Sequence, residues 1–195
     1  YTDTTGNTGP AATTLNYVVD TLAPSVNSFT LSDTALITGD NATVTLVFSE
    51  AVASFSSSAD ITVANGTLAV MTSTDNITWA GTFTPTTNTE DDNNTLSLAT
   101  SYSDTAGNAG PAATTLNYVV DTTAPTVSSV STTADNQSLV SITDNITVTF
   151  SEAMEPSYIT TSTSSGGFCA GNINVSSDNF SSCVRMSSEP VSSNS

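Results

Sequence analysis

Residues 1–26 and 102–127 carry nearly the same text at an offset of 101 positions. The first reads YTDTTGNTGPAATTLNYVVDTLAPSV and the second YSDTAGNAGPAATTLNYVVDTTAPTV, with differences only at Thr2, Thr5, Thr8, Leu22 and Ser25. A second phrase, TLVFSEAV at Thr45–Val52, returns as TVTFSEAM at Thr147–Met154, 102 positions on. Two blocks that keep their spacing describe a tandem array of modules. A period near 100 is too long for a solenoid repeat and suits beads that each fold on their own.

The array divides at the repeated blocks. Residues 1–19 read as the C-terminal end of a preceding module, 20–120 as one complete module, and 121–195 as a partial module closing in a disordered polar tail. Within 20–120 the apolar residues alternate with period two, as half-buried strands require. Ala42, Val44, Leu46 and Phe48 share one face; Ile61 with Val63, and Leu68 with Val70, flank the turn signal Asn65-Gly66. Ile77, Trp79, Gly81 and Phe83 form the next row, followed by Leu96 with Leu98, and by Leu116, Tyr118 and Val120. With 26–31 at the start, these make seven short strands and no helical period. The fold class is therefore all-β: tandem immunoglobulin-like β-sandwiches. Trp79 and the phenylalanine rows are expected in the core, where aromatic rings contribute most by burial.

Charge excludes whole classes of function. Eighteen acids face one cation, Arg185, and there is no Lys and no His, for a net charge of −17. Phosphate contacts need cations, so nucleic acid is excluded as a partner. Without His, neither a Ser-His-Asp nor a Cys-His arrangement can form, and nothing marks a pair among the carboxylates; the chain is read as no enzyme. No run approaches the roughly 18 apolar residues of a membrane helix, so no membrane is expected as a partner of this segment.

Seven antiparallel strands bring distant acids to one pole of a sandwich. The linker with Asp20, the turn after the second strand with Glu50, and the loop after the sixth with Asp104 and Asn108 share the end where the first strand enters, with Asp60 and Asp75 near it. Glu90, Asp91 and Asp92 are expected in a loop at the opposite end. Asp121 and Glu152 repeat Asp20 and Glu50 in the next module. Two readings fit these acids. Oxygen ligands without His or Cys suit a hard cation, and Ca2+ takes about 6–8 of them. Equally, Asp in an Asp-x-x-Gly-Asn loop is an ordinary turn former, and Asp before Thr-x-Ala-Pro an ordinary linker residue.

The last module holds the only cysteines, Cys169 and Cys183, 14 positions apart. Either they close a local disulfide, worth on the order of 3 kcal/mol for such a loop, or they are a pair of buried thiols.

As a set, FSEAV, DITVANGTL, TWAGTFTPT, YSDTAGNAGP and VVDTTAPTV resemble the bacterial Ig-like repeats of large secreted adhesins. ITVTFSEAMEPSYITTST with the two later cysteines resembles the Ig-like domain of bacterial S-layer proteins, over about 122–186. The resemblance implies an extracellular or cell-surface spacer or adhesion module, with neighbouring Ig-like modules as its partners in the chain. It also implies structural calcium at the junctions, with the junctional Asp mapping to Asp20 and Asp121. The Glu after the second strand maps to Glu50 and Glu152, and the loop Asp to Asp3 and Asp104. Two other roles stay open: modules that themselves bind a glycan, a host protein or another cell-surface ligand, and accessory modules of a secreted hydrolase or S-layer protein.

Overall fold

A computed structural model describes residues 1–132, 145–161, 163, 171–175, 186 and 188–192. Cys169, Cys183 and Arg185 lie outside the described residues, and so does the disulfide expected of the two cysteines. The chain forms two compact units, 1–123 and 124–195.

In the first unit the sequence from Val26 to Asp121 builds ten short strands. They are β1 (Val26–Leu31), β2 (Ala35–Ile37), β3 (Ala42–Phe48), β4 (Ile61–Thr62), β5 (Gly66–Leu68), β6 (Thr78–Pro85), β7 (Glu90–Asn94), β8 (Ser97–Leu98), β9 (Ala113–Thr114) and β10 (Tyr118–Asp121). One short helix, α1 (Ser57–Asp60), precedes β4. The strands assemble as β1-β3-β6-β5, β2-β10-β7 and β4-β8-β9. All pairs are antiparallel except β2 with β10.

The alternation read in the sequence is what holds β3 at the centre. Ala42, Val44, Leu46 and Phe48 are buried while Thr43 is exposed, and β3 pairs with β1 on one side and β6 on the other. These side chains meet Leu36, Leu98, Tyr118 and Val120 from the other sheets in one core. Phe83 of β6 stacks edge-on against Tyr118 of β10 at 5.2 Å between ring centres. Phe48, Phe55 and Tyr102 form a second aromatic group, which Trp79 joins through Phe55 at 4.9 Å. The result is a sandwich whose two sides share one apolar interior, as alternating strands dictate.

The strands number ten where seven were expected, and three further expectations are corrected. Glu90, Asp91 and Asp92 do not form a loop: they are the body of β7, paired with β10. The strand has no apolar residue to announce it, and its anchor is polar. Asn94 is buried and donates its side-chain amide to the carbonyls of Asp91 (2.8 Å) and Tyr118 (3.1 Å). Leu116, expected in the core row, is 83% exposed. The ladder is interrupted there: Thr115 turns inward, where its hydroxyl accepts the Leu96 amide at 3.0 Å, and the Asn117 side chain accepts the Asn94 amide at 2.8 Å. Val70 is likewise 73% exposed, and the buried position passes to Met71, whose amide donates to the Ser57 hydroxyl at 2.9 Å.

In the second unit β11 (Val127–Thr132) and β12 (Ile146–Phe150) pair antiparallel. Val127 faces Phe150, and a bulge falls between Val127 and Ser129, as Val26 faces Phe48 with a bulge between Val26 and Ser28 in β1–β3. The sequence repeat is therefore a repeat of register. A single turn of 3-10 helix, Pro156–Tyr158, follows.

Candidate metal centre

The loop Ser103–Ala109 is shaped by its own side chains. Asp104 Oδ1 accepts the backbone amides of Ala106 (2.8 Å) and Asn108 (2.9 Å), and Oδ2 accepts the Asn108 side-chain amide at 2.8 Å. Gly107 supplies the left-handed backbone, φ +96°, that lets the loop close. The carboxyl of Asp104 is held below its ordinary range, first by the Asn108 side chain, with its partial removal from water opposing and the loop amides adding. Asp3 in the earlier copy is held the same way: Oδ1 accepts the amides of Thr5 (3.0 Å) and Asn7 (2.8 Å), Oδ2 the Asn7 side chain (2.8 Å). Its carboxyl also lies below the usual range, first through Asn7. The turn-forming reading of this Asp is therefore correct, and it leaves further carboxylate lone pairs for another partner.

Two other elements bring acids to Asp104. Beyond β3, Val52 forms a bridge with Asp104, and the Ala53 amide donates to the Ser103 carbonyl at 2.9 Å, which sets Glu50 beside the loop. The linker approaches from the other direction. Ser25 donates its amide to the Ser49 hydroxyl at 2.9 Å, and the Asn108 side-chain amide reaches the carbonyls of Asp20 (3.3 Å) and Leu22 (3.2 Å). One carboxylate oxygen each from Asp20, Glu50 and Asp104 then lie within 4.8 Å of one another.

That spacing has a physical meaning. Oxygens bound to calcium at about 2.3–2.6 Å can be at most about 5 Å apart across the ion. Three carboxylates so close repel one another, and the first unit contains no Lys, Arg or His to offset them. The donor set is all oxygen, which a hard divalent cation fits and a soft one does not. Asp104 is buried, Glu50 half-buried and Asp20 exposed, so the group opens to solvent on the linker side. A shallow cleft lined by Val18, Val19, Asp20, Thr105 and Ala106 adjoins it.

Of the acids singled out in the sequence, then, the fold brings Asp20, Glu50 and Asp104 together. Asp60 is apart from them: it is buried, with Oδ2 accepting the Ser56 amide at 2.7 Å and Oδ1 accepting the Ser101 hydroxyl. Asp75 shapes its own turn, accepting the amides of Ile77 (2.9 Å) and Thr78 (2.8 Å), and these hold its carboxyl low, the Thr78 amide most. Asp121 ends β10 in the first unit and accepts the Thr123 amide at 3.2 Å, as Asp20 accepts that of Leu22 at 3.1 Å. Glu152 belongs to the second unit. It follows β12 as Glu50 follows β3, past a Ser151 that bonds Thr126 as Ser49 bonds Ser25. The contact that sequence reasoning missed is the Asn108 amide on the linker carbonyls, for which no local pattern gave a signal, since it joins residues 86 and 88 positions apart.

Comparison with known families gives two matches. Residues 20–120 match one family model and residues 121–186 another, and each is described as a bacterial Ig-like domain. No curated protein and no solved structure matches the chain.

Proposed function

Since the chain belongs to the bacterial Ig-like domain family, we propose that it is a spacer segment of a bacterial extracellular adhesin, whose Ig-like modules stand in series and are stiffened by calcium. Domains of this family are structural modules of surface and extracellular proteins. Among the described residues no helix is long and apolar enough to cross a membrane. The observation that carries the calcium reading is the convergence of Asp20, Glu50 and Asp104 in a unit that contains no Lys, Arg or His.

Each of the three acids comes from a different part of the chain: the linker, the turn beyond β3, and the loop before β9. An ion bound to all three ties the linker to the sandwich. It also removes their mutual repulsion, so its binding energy appears as stability and as stiffness of the joint. Extracellular modules of this kind hold calcium at about 10⁻⁴–10⁻³ M. Calorimetry should therefore show a melting temperature higher by on the order of 10 °C in about 10 mM calcium than in chelator. Asp104→Asn and Glu50→Gln should each shrink the rise. Equal melting in calcium and chelator would remove the metal from this reading.

A further inference from the structure

The Asn108 side chain stands in a position that the metal reading does not by itself require. It accepts nothing from the loop; it donates. One contact goes to Asp104 Oδ2 at 2.8 Å, and the others cross to the linker, to the carbonyls of Asp20 and Leu22, 88 and 86 positions away. An amide Nδ2 carries two hydrogens, so one is committed to Asp104 while the other is shared between the linker carbonyls.

In the earlier copy the same amide has a local acceptor within its own loop. Asn7 donates to Asp3 Oδ2 at 2.8 Å, as Asn108 does to Asp104, but its second contact is the Thr5 hydroxyl at 2.9 Å. The position matching Thr5 is Ala106, one of the five at which the copies differ. Alanine has no hydroxyl, so the loop of Asn108 holds no such competitor for the amide that reaches the linker carbonyls.

We propose that Asn108 is a positioning residue for the joint: by docking the carbonyls of Asp20 and Leu22 on the loop, it delivers the Asp20 carboxylate to Glu50 and Asp104. This rests on the calcium reading for its consequence, and on the hydrogen bonds alone for the docking. Asp20 lies on an exposed linker, and an exposed side chain there samples many rotamers. Fixing its backbone from two carbonyls restricts where its carboxylate can be, while the orientation of Asn108 is itself fixed by Asp104. The linker, the loop and the acid group then form one unit. Residues that orient a ligand without touching the ion cost roughly 10–100-fold in affinity when removed.

The test uses the whole 195-residue chain as wild type, Asn108→Ala and Ala106→Thr. Ala106 is exposed and away from the core, so the threonine leaves Asn108 in place and only offers its amide a competing partner. Titration with calcium chloride should give a dissociation constant about tenfold or more weaker for Asn108→Ala, with Ala106→Thr between it and the wild type. In chelator, exchange of the Leu22 amide, which donates to Asp20 Oδ1, should be faster in both variants. Wild-type calcium affinity in Asn108→Ala overturns the delivery of Asp20. Unchanged Leu22 exchange overturns the docking. Failure of the wild type to take calcium sinks the proposed function instead, and the docking is then decided by exchange alone.

Discussion

Gly110 has little to do with backbone freedom and much to do with Tyr102. A Cβ at Gly110 would lie 2.2 Å from the Tyr102 ring, which is buried and bonds the Pro111 carbonyl through its hydroxyl at 2.8 Å. The ring cannot yield, because Phe48 and Phe55 pack on its other sides. Gly110→Ala should therefore cost about 1–3 kcal/mol as overpacking, read from urea unfolding; a change near zero would mean that the ring can move. Gly9 meets Tyr1 in the same manner, which makes the pair a property of the repeated text. Asp104 supplies a second test at this scale. Its folded pKa is depressed, so its stabilisation is complete above the ordinary carboxylate value of about 4 and is lost as pH falls through the lower folded value. The melting-temperature advantage of the wild type over Asp104→Asn, which cannot titrate, should therefore shrink below about pH 4, whatever relief of self-repulsion the protonation of the other acids gives both. An identical profile in the variant would show that the acid sensitivity lies elsewhere.

Among the elements, β3 and β7 mark the two ends of what periodicity can find. The alternation of Ala42, Val44, Leu46 and Phe48 announces a strand and its buried face, and β3 has both. β7, with the sequence EDDNN, announces nothing, because its place is fixed by hydrogen bonds to β10 and not by burial of apolar area. Asn94 is the residue that makes it a strand: it bonds Asp91 and Tyr118, and its Oδ1 accepts the Asn65 side chain at 2.7 Å. Asn94→Ala would strand the buried Tyr118 carbonyl, at about 1–3 kcal/mol, while the Asn65 amide keeps its bond to Asp91 Oδ2 at 2.7 Å. Hydrogen exchange should then rise in β7 and β10 while β1, β3 and β6 keep their protection; uniform loosening would contradict the assignment. Leu116 and Val70 show the complementary failure. Both continue an apolar pattern on paper, yet each lies past the end of a strand, β9 at Thr114 and β5 at Leu68, where no ladder holds the alternation.

For the whole molecule the governing quantity is the net charge of −17 on 195 residues with one cation. Self-repulsion of that size acts against the folded chain and is screened by salt, with a Debye length of about 10 Å at 0.1 M. Raising sodium chloride from about 0.01 to 0.5 M should thus raise the melting temperature gradually and without saturation. Calcium should act at millimolar levels, saturate, and depend on Asp104. If sodium matched calcium at equal ionic strength, screening alone would account for both.

The sequence by itself determined what is local. The loop Asp-x-x-Gly-Asn takes one shape at Asp3–Asn7 and at Asp104–Asn108, because every bond that shapes it runs between residues at most four apart. The register of β1–β3 likewise recurs in β11–β12, since a shared alternation and bulge carry it. What only the tertiary structure decided is seen in the text that follows the loop. GPAATTLNYVVDT stands at 9–21 and again, letter for letter, at 110–122. In the second place it forms β9 and β10, with Tyr118 fully buried; in the first it forms no strand, and Tyr17 is 76% exposed. A strand is completed by hydrogen bonds and apolar surface on its neighbours, and β10 has β2 and β7 to supply them. The same dependence on distant partners governs the candidate metal centre. Acids could be read one at a time, but that Asp20, Glu50 and Asp104 meet, and that Asn108 holds the linker to them, is set by chain segments up to 88 residues apart.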